Sequence, residues 1–65
     1  MQLGVKIRTL RVNKKMSQEA LSQKSGVPQT TISDIELNKV NPSLNHIINL
    51  AKALEVSIEE IIKDL

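Results

Sequence analysis

Gln29, Thr30, Ser33 and Asp34 are four polar side chains set around two branched apolar residues, Ile32 and Ile35. At helical spacing the isoleucines face one way and the polar groups face another. An amide, two hydroxyls and a carboxylate in that array form a surface of hydrogen-bond donors and acceptors. Such a surface suits reading the edge of a groove better than it suits catalysis. The chain offers no nucleophile beside a base, no paired carboxylates in a cleft and no metal cluster.

The segment that must position this array is Ser17–Asn38, SQEALSQKSGVPQTTISDIELN. It reads as two short helices joined by a turn at Gly26-Val27-Pro28. The first runs from about Ser17, a good N-cap, to Ser25, with Leu21 inward. Met16, just before the cap, can pack back onto Leu21 or the core. Ser22 lies on the inner side, where a small residue lets another helix approach. If buried, its hydroxyl can bond back to the carbonyl of Gln18. Gly26 ends this helix in a left-handed conformation, and Pro28 suits the start of the next. That next helix spans roughly Gln29 to Leu37, with Ile32, Ile35 and Glu36 inward and Asn38 as a left-handed C-cap.

The flanking segments are helical too. Residues 2–13 place Leu3, Ile7 and Leu10 at i, i+4 and i+7. Val5 and Val12 fall on a different stripe, as singly exposed valines or as a partner contact. Asn13-Lys14-Lys15 carries no apolar residue and must turn the chain. Lys39–Pro42 is a loop, and Ser43 caps a helix with Leu44, Ile47, Ile48, Ala51 and Leu54 on one face. Ser57-Ile58-Glu59-Glu60 matches a capping box that opens a final helix, with Ile58, Ile61 and Ile62 inward. No strand-like alternation occurs. The expectation is an all-α fold, a compact bundle of five short helices, with residues 1–65 forming a single domain.

Composition narrows the function. The 65 residues leave room for one domain, and they contain no cysteine and one histidine, His46. Neither a disulfide framework nor a metal site is available from those residues. The chain has no Phe, Tyr or Trp, which argues against single-stranded nucleic acid or RNA binding by base stacking. No segment approaches the roughly 20 apolar residues of a membrane span. The N-terminal residues are interrupted by charges and make no secretory signal, so a cytoplasmic protein is expected. Net charge is only +2, but it is uneven. Lys6, Arg8, Arg11, Lys14, Lys15 and Lys24 face only Glu19 in residues 1–25, whereas the last third is acidic. The molecule therefore has a basic end and an acidic end.

The whole sequence resembles the helix-turn-helix domain of the phage repressor and Cro (XRE-type) family of bacterial regulators. The matching residues are Ile7-Arg8, Leu10-Arg11, Ser17-Gln18-Glu19, Leu21, Gly26-Val27-Pro28, Thr31-Ile32-Ser33 and Ile35-Glu36. Lys39, Asn41-Pro42-Ser43-Leu44, Leu50-Ala51-Lys52-Ala53-Leu54 and Val56-Ser57-Ile58 continue the match without a gap. The resemblance implies a lambda-repressor-like fold with the helix-turn-helix at helices 2 and 3. Helix 3, residues 29–37, would lie in the major groove of double-stranded DNA. It implies a transcriptional regulator, acting as a repressor and binding a two-fold operator as a homodimer, in the cytoplasm of a bacterium or phage host. No cofactor, metal, membrane or small-molecule ligand is implied, and no catalysis.

Residue by residue, the resemblance assigns base-edge contacts to Gln29, Thr30, Ser33 and Asp34. The amide of Gln29 can pair with adenine N6 and N7, the Thr30 methyl can meet a thymine methyl, and Asp34 can either accept from cytosine N4 or simply reject wrong sequences. Phosphate contacts fall to Gln18, Lys39, Asn41 and Ser43, aided by the N-termini of helices 2 and 4. Arg11 and Glu36 would form a structural ion pair between helix 1 and the end of helix 3. Three departures stand out: Ser22 replaces the usual alanine, Asn38 replaces a glycine, and a glycine common near Lys15 is missing. Leu37 occupies a position that is often polar; an exposed apolar residue, a DNA sugar contact and a dimer contact are all open. His46 reads as solvated or on the phosphate side. Dimerisation is expected from the helix 4–5 region and the terminus near Leu65, with Ile58, Ile61 and Ile62 mostly core. The alternative function is a protein-interaction module of the same fold, an antitoxin or anti-repressor component, using Val5, Val12 and Leu37.

Overall fold

The computed structural model describes residues 2–63. Five helices occupy them: α1 Leu3–Asn13, α2 Gln18–Ser25, α3 Gln29–Glu36, α4 Leu44–Leu54 and α5 Ile58–Ile62. No strand occurs among the described residues. The helices start where serines stand. Ser17, Ser43 and Ser57 each accept a backbone N–H three residues on, from Ala20 at 3.0 Å, His46 at 3.1 Å and Glu60 at 3.1 Å. Each thereby satisfies one of the N–H groups a helix start leaves open. The box at Ser57 is half formed, because the Glu60 carboxylate lies 3.9 Å from Lys6 Nζ and so links α5 to α1.

Three helices end in the same way. The chain turns left-handed at Lys15, Asn38 and Glu55, with φ of 58°, 59° and 59°. Beyond each, two backbone N–H groups close the last turn: Met16 to Arg11 and Lys15 to Val12, Lys39 to Asp34 and Asn38 to Ile35, Val56 to Ala51 and Glu55 to Lys52. This is the Schellman pattern, built without the glycine that adopts it most cheaply. Asn38 is the expected C-cap. Lys15 stands at the site of the missing glycine, and Glu55 carried no signal in the sequence.

Ile7, Leu21, Ile32, Ile35, Leu50, Leu54 and Ile61 form the buried centre, with Val27, Ala51 and Ala53. Leu3, Leu10, Met16, Ile47 and Val56 pack around it. α1 lies on α3 and α5, α2 on α3 and α4, and α4 on α5. Three expectations fail here. Leu44 is 67% exposed, because it is the first helical residue after the Ser43 cap and projects past the core. Ile58 and Ile62 are exposed as well: they flank Ile61 on the short α5, and only Ile61 is fully buried in the core. Leu50 and Ala53 fill the space instead.

Candidate nucleic-acid interface

The α2–α3 turn is tight and internally satisfied. Gly26 has φ 76°, and its N–H donates to the Ser22 carbonyl at 2.8 Å. Ser22 is half-buried, and its hydroxyl donates forward to the Val27 carbonyl at 2.7 Å in place of the bond back to Gln18 open to a buried serine. Gln18 opens α2, where its carbonyl is an acceptor of the helical ladder, whereas the Val27 carbonyl sits in the break between helices, so the hydroxyl goes where no helical bond competes. The Val27 N–H donates to Ser25 Oγ at 3.1 Å. With both polar backbone groups held, the Val27 side chain can be buried. Sequence periodicity does not reveal it, because a turn residue belongs to no helical stripe.

Behind the turn lies a cluster around one buried carboxylate. Arg11 Nε donates to Glu36 Oε2 at 2.7 Å and Arg11 Nη2 to Oε1 at 3.1 Å. Arg11 Nη1 donates to the Met16 carbonyl at 2.8 Å, and Gln18 Nε2 to Glu36 Oε1 at 3.1 Å. The Glu36 side chain is 3% exposed and that of Arg11 13%. A charge so deeply buried persists only when paired and hydrogen-bonded, and here both carboxylate oxygens are engaged. Four pieces of chain converge on this cluster: α1, the α1–α2 loop, the first turn of α2 and the last turn of α3. It sets the direction of α3 relative to α2.

α3 accordingly has two faces. Ile32, Ile35 and Glu36 point inward. Gln29 and Thr30 are exposed, and Ser33 and Asp34 are half-buried. None of these four spends its side chain on a hydrogen bond among the described residues. Their polar groups are available to an outside partner on one helical face. The residues assigned to phosphates are less uniform. Lys39, Asn41 and Ser43 are exposed. Ser43 uses an oxygen lone pair as the α4 cap and keeps its O–H. Gln18 commits its amide nitrogen to Glu36, which leaves its amide oxygen and its backbone N–H at the start of α2.

One feature of this region gave no signal in the pattern. Gly4 is buried where α1 abuts the end of α3, and a Cβ there would lie 2.2 Å from the Ile35 carbonyl oxygen. Val5 and Val12 do not stand alone on α1: with Arg8, Thr9, Asn13 and Glu36 they line one shallow groove of about 370 Å³. Leu37 is 57% exposed at the end of α3, and His46 is half-buried on α4. The basic excess of the N-terminal third is partly countered, since Lys6 lies near Glu60 and Lys24 lies 3.7 Å from Glu55. Among the described residues there is no cluster of metal-binding side chains and no helix long and apolar enough to cross a membrane.

A family model described as helix-turn-helix matches residues 7–61. Control protein C.BamHI of Bacillus amyloliquefaciens is 40% identical over 60 residues, covering 91% of this chain and 74% of that protein. The restriction-modification controller protein C.AhdI from Aeromonas hydrophila superposes with a TM-score of 0.91 at 34% identity, covering 94% of this chain and 92% of that one. The P22 c2 repressor, in complex with synthetic operator 9T, superposes with a TM-score of 0.87 at 32% identity, covering 97% and 96%. Other relatives are longer. The chain spans 26% of an HTH-type transcriptional regulator of Sinorhizobium fredii and 43% of the immunity repressor protein of Bacillus phage phi105.

Proposed function

The chain belongs to the helix-turn-helix family, with the five-helix architecture of its repressor and controller structures, and from that premise we propose that it binds double-stranded DNA in a sequence-specific way and regulates transcription. The observation that carries this reading is the outward face of α3. Four polar side chains are offered there on a helix whose other face is locked by Ile32, Ile35 and the Arg11–Glu36–Gln18 cluster. In this reading α3 enters the major groove. Gln29, Thr30, Ser33 and Asp34 meet base edges, and Gln18, Lys39, Asn41 and Ser43 meet phosphates. Residues 1–65 act as one DNA-binding unit without catalytic activity, in the cytoplasm.

A homodimer on a two-fold operator completes the proposal. Half-sites one helical turn apart lie ~34 Å from each other, and the protomer measures 26 × 23 × 20 Å. Two copies that span such a site must meet away from their recognition helices. Ile58, Ile62 and Leu44, exposed on α5 and α4, supply apolar surface for that meeting. The expected contribution from Leu65 lies outside the described residues. Selection of bound duplexes from a random pool, followed by titration of the winning duplex with salt, tests the reading. A preferred two-fold sequence whose affinity falls steeply with salt is expected, because phosphate contacts release counterions. Binding with no sequence preference would defeat it.

A further inference from the structure

The start of α1 and the end of α3 form a joint that the helix-turn-helix itself does not require. The N-cap position of α1 is Gln2, whose backbone is extended but whose side chain caps nothing. The missing acceptor comes from 34 residues away, where Asn38 Oδ1 accepts the Gly4 N–H at 3.2 Å. Gly4 is the second residue of the helix, and its N–H is one that an ordinary N-cap side chain would take. The same Asn38 donates through Nδ2 to Gln2 Oε1 at 2.9 Å. Its amide thus grips the α1 terminus with both ends.

Glycine at position 4 makes the grip possible. A Cβ would lie 2.7 Å from Asn38 Oδ1, 2.8 Å from the Glu36 carbonyl oxygen and 2.2 Å from that of Ile35. The positive end of the α1 dipole therefore sits directly against the negative end of α3. Asn38 is also the left-handed residue at which the chain leaves α3 for Lys39, Asn41 and Ser43. Glycine would adopt that backbone at less cost, yet it would have no amide to bridge the two helix ends.

We propose that Asn38 is a positioning residue for DNA binding: by clamping the end of α3 to the start of α1, it fixes the path of the Lys39–Ser43 loop and so sets its phosphate contacts. This rests on the DNA-binding reading above. Asn38 need touch no DNA to act, and its effect on affinity exceeds its effect on helix α1.

The test uses Asn38→Gly, alone and combined with Gln2→Ser, on the duplex selected by the unaltered chain. Gln2→Ser places a conventional cap on α1, where the backbone already has the required extended conformation. Asn38→Gly is expected to weaken duplex binding roughly fivefold, the ratio set by one hydrogen bond of ordinary net worth. It should also shift the backbone amide resonances of Asn41 and Ser43, which are too far along the chain to sense the substituted side chain directly. Adding Gln2→Ser should leave both changes in place. Full recovery of affinity in the double variant would show that Asn38 is only a remote cap, and would overturn the proposal. Wild-type affinity with unmoved loop resonances in Asn38→Gly would overturn it too, while leaving the DNA-binding reading intact. Failure of the unaltered chain to bind any duplex would remove both.

Discussion

Gly4→Ala sets two rules against each other, and the structure decides between them. Helix propensity favours alanine over glycine by up to ~1 kcal/mol in a helix interior, and by less near a terminus. The new methyl carbon, however, would stand 2.2 Å from the Ile35 carbonyl oxygen, with Glu36 O and Asn38 Oδ1 also inside 3 Å. Two of those three atoms are backbone and cannot rotate away. α1 must retreat by about 1 Å, which also stretches the Gly4–Asn38 hydrogen bond beyond use. Overpacking costs ~1–3 kcal/mol and the lost bond ~1 kcal/mol. The net expectation is a loss of about 2 kcal/mol. For a domain of this size that lowers the melting temperature by roughly 8–16 °C. Thermal unfolding followed by helical circular dichroism is the suitable assay, since the chain has no aromatic residue to report by fluorescence. A Gly4→Ala variant that melts at or above the wild-type temperature would refute the close approach of α1 to α3.

Arg11→Ala leaves the buried Glu36 carboxylate without its bidentate partner, so a loss of about 3 kcal/mol is expected in denaturant unfolding together with weaker DNA binding. A variant that binds poorly yet unfolds normally would contradict the structural role given to the pair. Lys15→Gly relieves a left-handed residue at the end of α1 and is expected to raise stability by about 1 kcal/mol; an unchanged denaturation midpoint would speak against strain there. Gln29→Ala with Thr30→Ala should alter the duplex sequence recovered from a random pool while leaving the melting temperature nearly unchanged, because both side chains are exposed. Ile62→Asp should weaken self-association in sedimentation with little effect on the melting of the monomer, and an unaltered association constant would move the dimer contact elsewhere.

The sequence reveals most where side chains repeat with the helical period or cap a helix. Ile7, Leu21, Ile32, Ile35 and Leu54 are buried as their spacing requires, and Ser17, Ser43 and Ser57 start helices as their chemistry requires. Periodicity fails at short helices and at their ends. It counts Leu44, Ile58 and Ile62 as core because it cannot see that the packed surface stops before them. It passes over Val27, which is buried from a turn, and Gly4, whose meaning lies in an approach by residues 31 or more positions away. The Ser22 hydroxyl points to Val27 because of a helix break, a matter of three-dimensional placement. At the interface, spacing separates the outward residues of α3 from the inward ones. The second engagement of Gln18, with Glu36, depends on a packing angle that spacing does not encode.

The two faces of α3 also bear on how such a chain could acquire a new target. The groups that hold the helix in place, Ile32, Ile35 and Glu36, share no side chain with those proposed to read DNA, and Gln29 and Thr30 contribute nothing to the core. Exchange at these exposed positions leaves the cluster at Glu36 and the turn at Gly26 untouched. Recognition can therefore drift while foldedness is conserved. The outer face of α3 behaves as a replaceable cassette on a fixed mount, and its more constrained members are Ser33 and Asp34, which are half-buried where Gln29 and Thr30 are exposed. Redesign of specificity should begin at residues 29 and 30 and reach residues 33 and 34 last.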